Sequence, residues 1–366
     1  MFERFNVLQV ALLLTLVFTV SLIWSHPASC KEITTVLTVQ SIKSIPAPGD
    51  TGQARIVFNI QSDEIKPDTY LYTQFLWGVK SYDPKFVVGR EFIGTVSLTE
   101  SGKIGRVILG QNRREHLLLF LFVAVTVLLF VVGRWEGVLG LISTLFTLGL
   151  IYYFFFPLVF SGINIFAMGL LICLGSIVFT ISLIMKWNTP TFPAIASLCV
   201  VTGLVFVCTI AGFEYLGLTG KTARHSRLII TQINRAGLGM GALWKILTVG
   251  IVLGSLGAMM DVGVVISSTI DEIVRDKPDY SFYDAYKSGV HVGREILSTM
   301  INTLIFAYMG IFIPLFLALK AFNVPWVRFI NYEFVAIEIL RVVIGLTGLC
   351  LIIPVSSAAA SWWCRR

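Results

Sequence analysis

The sequence predicts an all-α polytopic membrane protein of about eight transmembrane helices, with a small N-terminal extracytoplasmic β-rich domain. Three observations carry this. The 366 residues are 56% hydrophobic and 13% charged, about half the charged share of an ordinary soluble domain. With a mean hydropathy of +0.82, a soluble surface could not be covered. Second, the charges are clumped: none occurs over 137–185, 187–213, 296–319 or 342–364. Third, residues 31–114 differ in kind, holding 11 of the 28 Lys/Arg and 8 of the 21 Asp/Glu.

Each span follows from the length needed to cross hydrocarbon, about 20 apolar residues. The candidates are 6–24, 116–133, 138–157, 163–185, 193–213, 244–266, 295–319 and 333–356. Backbone in lipid must satisfy its own hydrogen bonds, and continuous apolar runs exclude a β-barrel whose strands alternate. The first span reads as an uncleaved signal anchor. Its apolar run from Phe5 to Trp24 exceeds a usual signal-peptide core, and Pro27 before Cys30 weakens a lipoprotein reading. The organisation is then an anchor over 1–30, the β-rich domain over 31–114, a first helix group over 115–213 and a second over 214–366.

In the β-rich domain, five β-branched runs are separated by turn signals such as Pro48-Gly49-Asp50-Thr51-Gly52 and Ser101-Gly102-Lys103. The runs are Ile33–Val39, Ala54–Ile60, Thr69–Leu76, Glu91–Leu98 and Lys103–Leu109. They predict a small barrel or sandwich. Eight spans place both termini in the cytoplasm with Arg4, Arg134, Lys186, the 267–294 loop and Arg365-Arg366, which fits the positive-inside rule. The loop at 214–243 opposes it, carrying Lys221, Arg224, Arg227 and Arg235 on the other side. The expected location is a bacterial cytoplasmic membrane.

The polar residues inside 236–341 are the informative ones. Gly250, Gly254 and Ala258 fall four apart, a spacing for close helix packing. One turn on is Asp261, whose burial in lipid costs at least about 2.5 kcal/mol, so it should face protein or water. Ser268 and Glu272 share its helix face if the helix continues past Ser267. A cation or proton site and a simple interhelical or interfacial carboxylate are equally good readings. Arg294, Ser298 and Asn302 form a second stripe. Arg294 either pairs with Asp261, binds an anion or snorkels to headgroups, and Asn302 suits an interhelical hydrogen bond. Glu338 and Arg341 are three apart and can pair along one face. Between them, the amphipathic 267–294 loop predicts a short interfacial helix over Phe282–Ser288, capped by Ser281. The basic run Thr222–Arg227 suits lipid headgroups.

No catalytic set stands out. There is no His-Glu-x-x-His, no Gly-x-Ser-x-Gly and no CxxC, and the four histidines have no metal-ligand spacing. The Ala236–Gly241 run lacks the strand and the Lys-Ser/Thr ending of a phosphate loop. Neither a cofactor nor a nucleic-acid partner is expected.

Several separated motifs are similar to those of the YibE/F family of bacterial membrane proteins. They are Gly254–Gly263 with Ser267-Ser268, Ser288–Arg294, Thr299–Leu304, Tyr308, and Glu338 with Arg341. The resemblance covers roughly 110–356. It implies a multi-spanning protein whose usual guessed role is transport, and recurring polar positions that map onto Asp261, Ser268, Arg294, Asn302, Glu338 and Arg341.

The leading expectation is a permease for an ion or small solute. Its binding residues would be Asp261, Ser268, Glu272, Arg294, Asn302, Glu338 and Arg341. Its partners would be the lipid bilayer and that unknown solute, and a homo-oligomer is compatible with the sequence. The alternative is a scaffold or accessory subunit that binds a partner through its exported domain. A lipid-modifying enzyme is the weakest reading.

Overall fold

The computed structural model describes residues 32–45, 53–61, 69–75, 89, 91–98, 104–221, 233, 237–239 and 241–364. The anchor at 6–24, Cys30, the Pro48–Gly52 turn and the basic run Thr222–Arg227 lie outside them. The chain divides into two compact units, 1–128 and 129–366.

The first unit holds β1 (Glu32–Ile45), β2 (Gln53–Gln61), β3 (Thr69–Phe75), β4 (Glu91–Leu98) and β5 (Ile104–Asn112). These fall on the five β-branched runs, as expected of residues that fit a pleated, half-buried surface. All pairings are antiparallel, in the order β3-β2-β1-β4-β5. Leu37 and Val39, two apart on central β1, are buried with Phe92, and Leu37 lies opposite Phe92 on β4. Where a barrel or sandwich was expected, the described strands make one open sheet. Alternation makes a strand but does not choose its partner, and β3 and β5 each pair on one side. Arg113 ties this sheet to the next helix. It donates from Nη1 to Glu91 at 2.9 Å and from Nε to Glu115 at 2.7 Å. These carboxylates, Glu115 first, raise its pKa.

Helix α1 (Glu115–Leu150) begins in the first unit and runs into the second. It is interrupted at Arg134, with φ 50° and ψ −140°. A Cβ on Gly137 would meet the Leu129 carbonyl oxygen at 2.7 Å. In a straight helix, residues eight apart are about 12 Å apart, so the chain turns back here. A π-helical segment (Ile151–Phe155) then leads into α2 (Phe156–Phe160). Pro157 has no N–H to give to the preceding turn, which accounts for the altered winding.

The remaining helices are α3 (Ile165–Met185), α4 (Thr191–Tyr215), α5 (Ala242–Asp276), α6 (Phe282–Ala321), α7 (Trp326–Ile330) and α8 (Glu333–Trp363). Helix α5 is the centre, packed against α3, α4, α6 and α8. Missing side chains let them approach. A Cβ on Gly169 of α3 would lie 2.2 Å from Val249 Cγ2, and one on Gly348 of α8 would lie 2.6 Å from Met259 Sδ. The expected stripe of Gly250, Gly254 and Ala258 does not play this part. Gly250 has nothing within 4 Å of a built Cβ, and Gly254 meets only the Tyr308 hydroxyl.

The 267–294 loop is also corrected. Helix α5 continues to Asp276 and α6 starts at Phe282, so the segment expected as a separate interfacial helix is the first part of a 40-residue helix. Gly289 and Gly293 are the reason. A Cβ on Gly289 would fall 2.5 Å from Ile270, and one on Gly293 would fall 2.6 Å from Ile353, so these turns of α6 dock into the bundle. Ser281 does cap α6: its Oγ accepts the Asp284 N–H at 3.2 Å, and Asp284 Oδ2 accepts the Ser281 N–H at 3.2 Å. Further on, Phe282–Gly310 and Phe312–Ala321 are bent by 54°. Pro314 removes the hydrogen bond to the Gly310 carbonyl and crowds it, the usual origin of a kink.

Among the described residues, five helices are long and apolar enough to cross a membrane, or six if the bent pair counts as one span.

Candidate functional site

Helix α5 is surrounded on most of its circumference. Val252, Ser255, Leu256, Met259, Val262, Gly263, Ile266, Ser267 and Ile270 are buried. The uncovered strip reads Gly250, Gly254, Gly257, Asp261, Val265, Ser268 and Glu272. The three- and four-residue spacing keeps these on one face. Asp261, Ser268 and Glu272 therefore do share a face, as their spacing predicts, because the helix runs without a break to Asp276.

Ser268 opens into a cleft of about 290 Å³ lined also by Glu136, Leu139, Lys186, Asn188 and Val264. Lys186 ends α3 in the left-handed conformation, φ 52°, and Trp187 follows at φ 53°. That turn directs Asn188 to the cleft. Asp261 lies two turns, about 10 Å, further along the same face. Gly257 and Gly254 carry no side chains to obstruct the strip beyond it. Glu136 and Asn188 were not singled out from the sequence, and Lys186 was read only as a charge on the cytoplasmic side. They stand in short connections between apolar runs, where a charge reads as an ordinary interfacial residue.

The predicted pairing of Asp261 with Arg294 is not made. Among the described residues neither has an ion pair or hydrogen bond, and both are exposed. Arg294, Ser298 and Asn302 lie on an exposed face of α6. Ser298 turns its hydroxyl to the Glu295 carbonyl of its own helix, and Asn302 makes no interhelical hydrogen bond among the described residues. Spacing gives a stripe but not the direction it faces.

Glu338 and Arg341 do meet, at 2.6 Å, with about a quarter or less of each side chain exposed. The Arg341 guanidinium also stands 5.7 Å from the Tyr308 ring centre, a cation–π distance. The Tyr308 hydroxyl in turn faces Gly254. So α5, α6 and α8 are joined by one polar cluster next to the open strip. Glu333 serves elsewhere, accepting the Gly220 N–H at 2.7 Å. Glu272 lies exposed at the end of the strip.

A largely helical bundle with apolar helices long enough to cross a bilayer, and acids and arginines set within them, defines an integral membrane protein. The family of YibE/F-like proteins matches residues 121–366, and the chain belongs to it. No curated protein and no solved structure matches the chain.

Proposed function

We propose that this protein is a permease of a bacterial cytoplasmic membrane, moving an ion or small solute along the uncovered face of α5. The carrying observation is the polar strip itself. It has Ser268 in the Glu136–Lys186 cleft, Asp261 about 10 Å deeper, and glycines beyond. A carboxylate on a span costs at least about 2.5 kcal/mol in lipid, and such residues mark ion and substrate paths. Asp261 is the cation or proton ligand, Ser268 a neutral ligand and Glu272 an entry charge. Arg294 and Asn302 act from α6. The Glu338–Arg341 pair, braced by Tyr308, fastens or gates the strip. Dividing α1 at Arg134 and adding 6–24 gives eight spans, with both termini in the cytoplasm.

Ion flux into vesicles reconstituted with the full chain tests this reading. Asp261→Asn should abolish flux while the melting temperature stays within a few degrees. Unchanged flux in a folded variant overturns it.

A second reading has one observation behind it. Among the described strands, β3 and β5 are each paired on one side, and an open edge can take a strand from another protein. In that case removing 31–114 abolishes function and Asp261→Asn does not.

A further inference from the structure

On the packed side of α5, opposite the Asp261 strip, lies a lane of hydroxyls. Ser267 of α5 and Ser356, Ser357 and Ser361 of α8 are wholly buried. The Ser267 and Ser356 oxygens are 3.1 Å apart, and Ser356 Oγ donates to the Gly263 carbonyl at 3.2 Å. Ser357 and Ser361 are different: among the described residues, no group pairs with either hydroxyl. Ser176 and Ser182 of α3 and Thr191 and Thr202 of α4 are also unpaired, but Ser357 and Ser361 are the two that stand one turn apart on one helix face. Other buried hydroxyls find a partner within their own helix. Ser197, Thr209 and Ser255 each donate back to a carbonyl of their own helix. An unmade buried hydrogen bond is costly, so orphans on one helix face require an explanation.

Ser357, Ser361 and Cys364 follow at four and three residues, hence along one face of α8. At the inner end, Ser357 faces Gly289 of α6, where a Cβ would come within 2.8 Å of its hydroxyl. At the outer end, the Cys364 thiol lies against the Asp271 carboxylate of α5, which also holds Arg275 at 2.7 Å. Asp271 is one turn after Ser267, so α5 and α8 lead from the same hydroxyl knot to the same mouth. Deeper than Gly263 the seam is apolar, closed by Leu198 and Ile352.

We infer that the α5–α8 seam binds a file of water, entered past Asp271 and Cys364 and ending at the Ser267–Ser356–Gly263 knot. Side chains four apart on a helix are about 5–6 Å apart, a gap that one water spans with two hydrogen bonds of about 2.8 Å. Water satisfies both orphans without the cost of burying an ion among apolar groups. The seam is thereby a half-channel that brings solvent, and the protons water carries, into the bundle from the Asp271 end. It does not depend on the role given to Asp261, which lies on the other face of α5.

The test is thiol accessibility to silver ion in the full-length protein in vesicles. Native cysteines are replaced, except Cys173, wholly buried on α3 and the dry reference. Ser357→Cys and Ser361→Cys are near-isosteric. Both should react at least tenfold faster than Cys173, with Ser361→Cys ahead of Ser357→Cys. Reaction no faster than Cys173 overturns the half-channel. Melting of Ser361→Ala gives a second readout: a hydrated lane makes it less stable, whereas a rise in melting temperature, relief of a dry orphan, rejects it.

Discussion

Glu333, at the first turn of α8, accepts the backbone N–H of Gly220 at 2.7 Å across 113 residues of chain. The same oxygen takes the Thr219 hydroxyl at 2.8 Å. One carboxylate therefore fixes the turn that leaves α4. Hydrogen bonds to a charged group contribute about 1.5–3 kcal/mol each. Glu333→Ala should lower stability by about 2 kcal/mol, and Glu333→Gln, which keeps an acceptor, should recover at least half. Thermal unfolding in detergent reads the difference.

Glycines of α3 and α5 should respond oppositely to the same change. A methyl on Gly169 would fall 2.2 Å from the stiff, branched Val249 side chain. Overpacking of this kind costs about 1–3 kcal/mol, so Gly169→Ala should melt earlier. Gly250 has open space around it, and alanine there gains up to about 1 kcal/mol of helix propensity. Melting curves of the two variants should move in opposite directions.

The Glu338–Arg341 pair predicts a non-additive cycle. Removing Glu338 alone strands a guanidinium inside the bundle, at about 3–5 kcal/mol. Replacing both by leucine removes the charge and its partner together and costs less. Glu338→Leu should therefore destabilise more than the double variant, measured by unfolding in the same detergent.

Ser281 closes the capping box of α6 with Asp284. Ser281→Ala should cost about 1 kcal/mol and raise hydrogen exchange at Phe282–Ala285, leaving exchange in the middle of α6 unchanged.

The apolar runs and the five strands were legible because each follows a local rule, length in one case and alternation in the other. What escaped was tertiary. Gly289 and Gly293 look like breaks in a polar loop, yet they are where α6 meets Ile270 and Ile353. The 3.6-residue period put Asp261, Ser268 and Glu272 on one face. It could not say that this face is uncovered, or that Asp261 and Arg294 are not paired. Ser356, Ser357 and Ser361 were not singled out, and their one sequence signal was three hydroxyls within six residues of an apolar span.

Two residues, Arg113 and Arg114, separate the last strand from α1, and Arg113 is clamped to both sides of that joint. A tether of such length has no slack. Force applied along β5 passes straight into the first turn of α1, so that strand and helix start act as a single stiff lever.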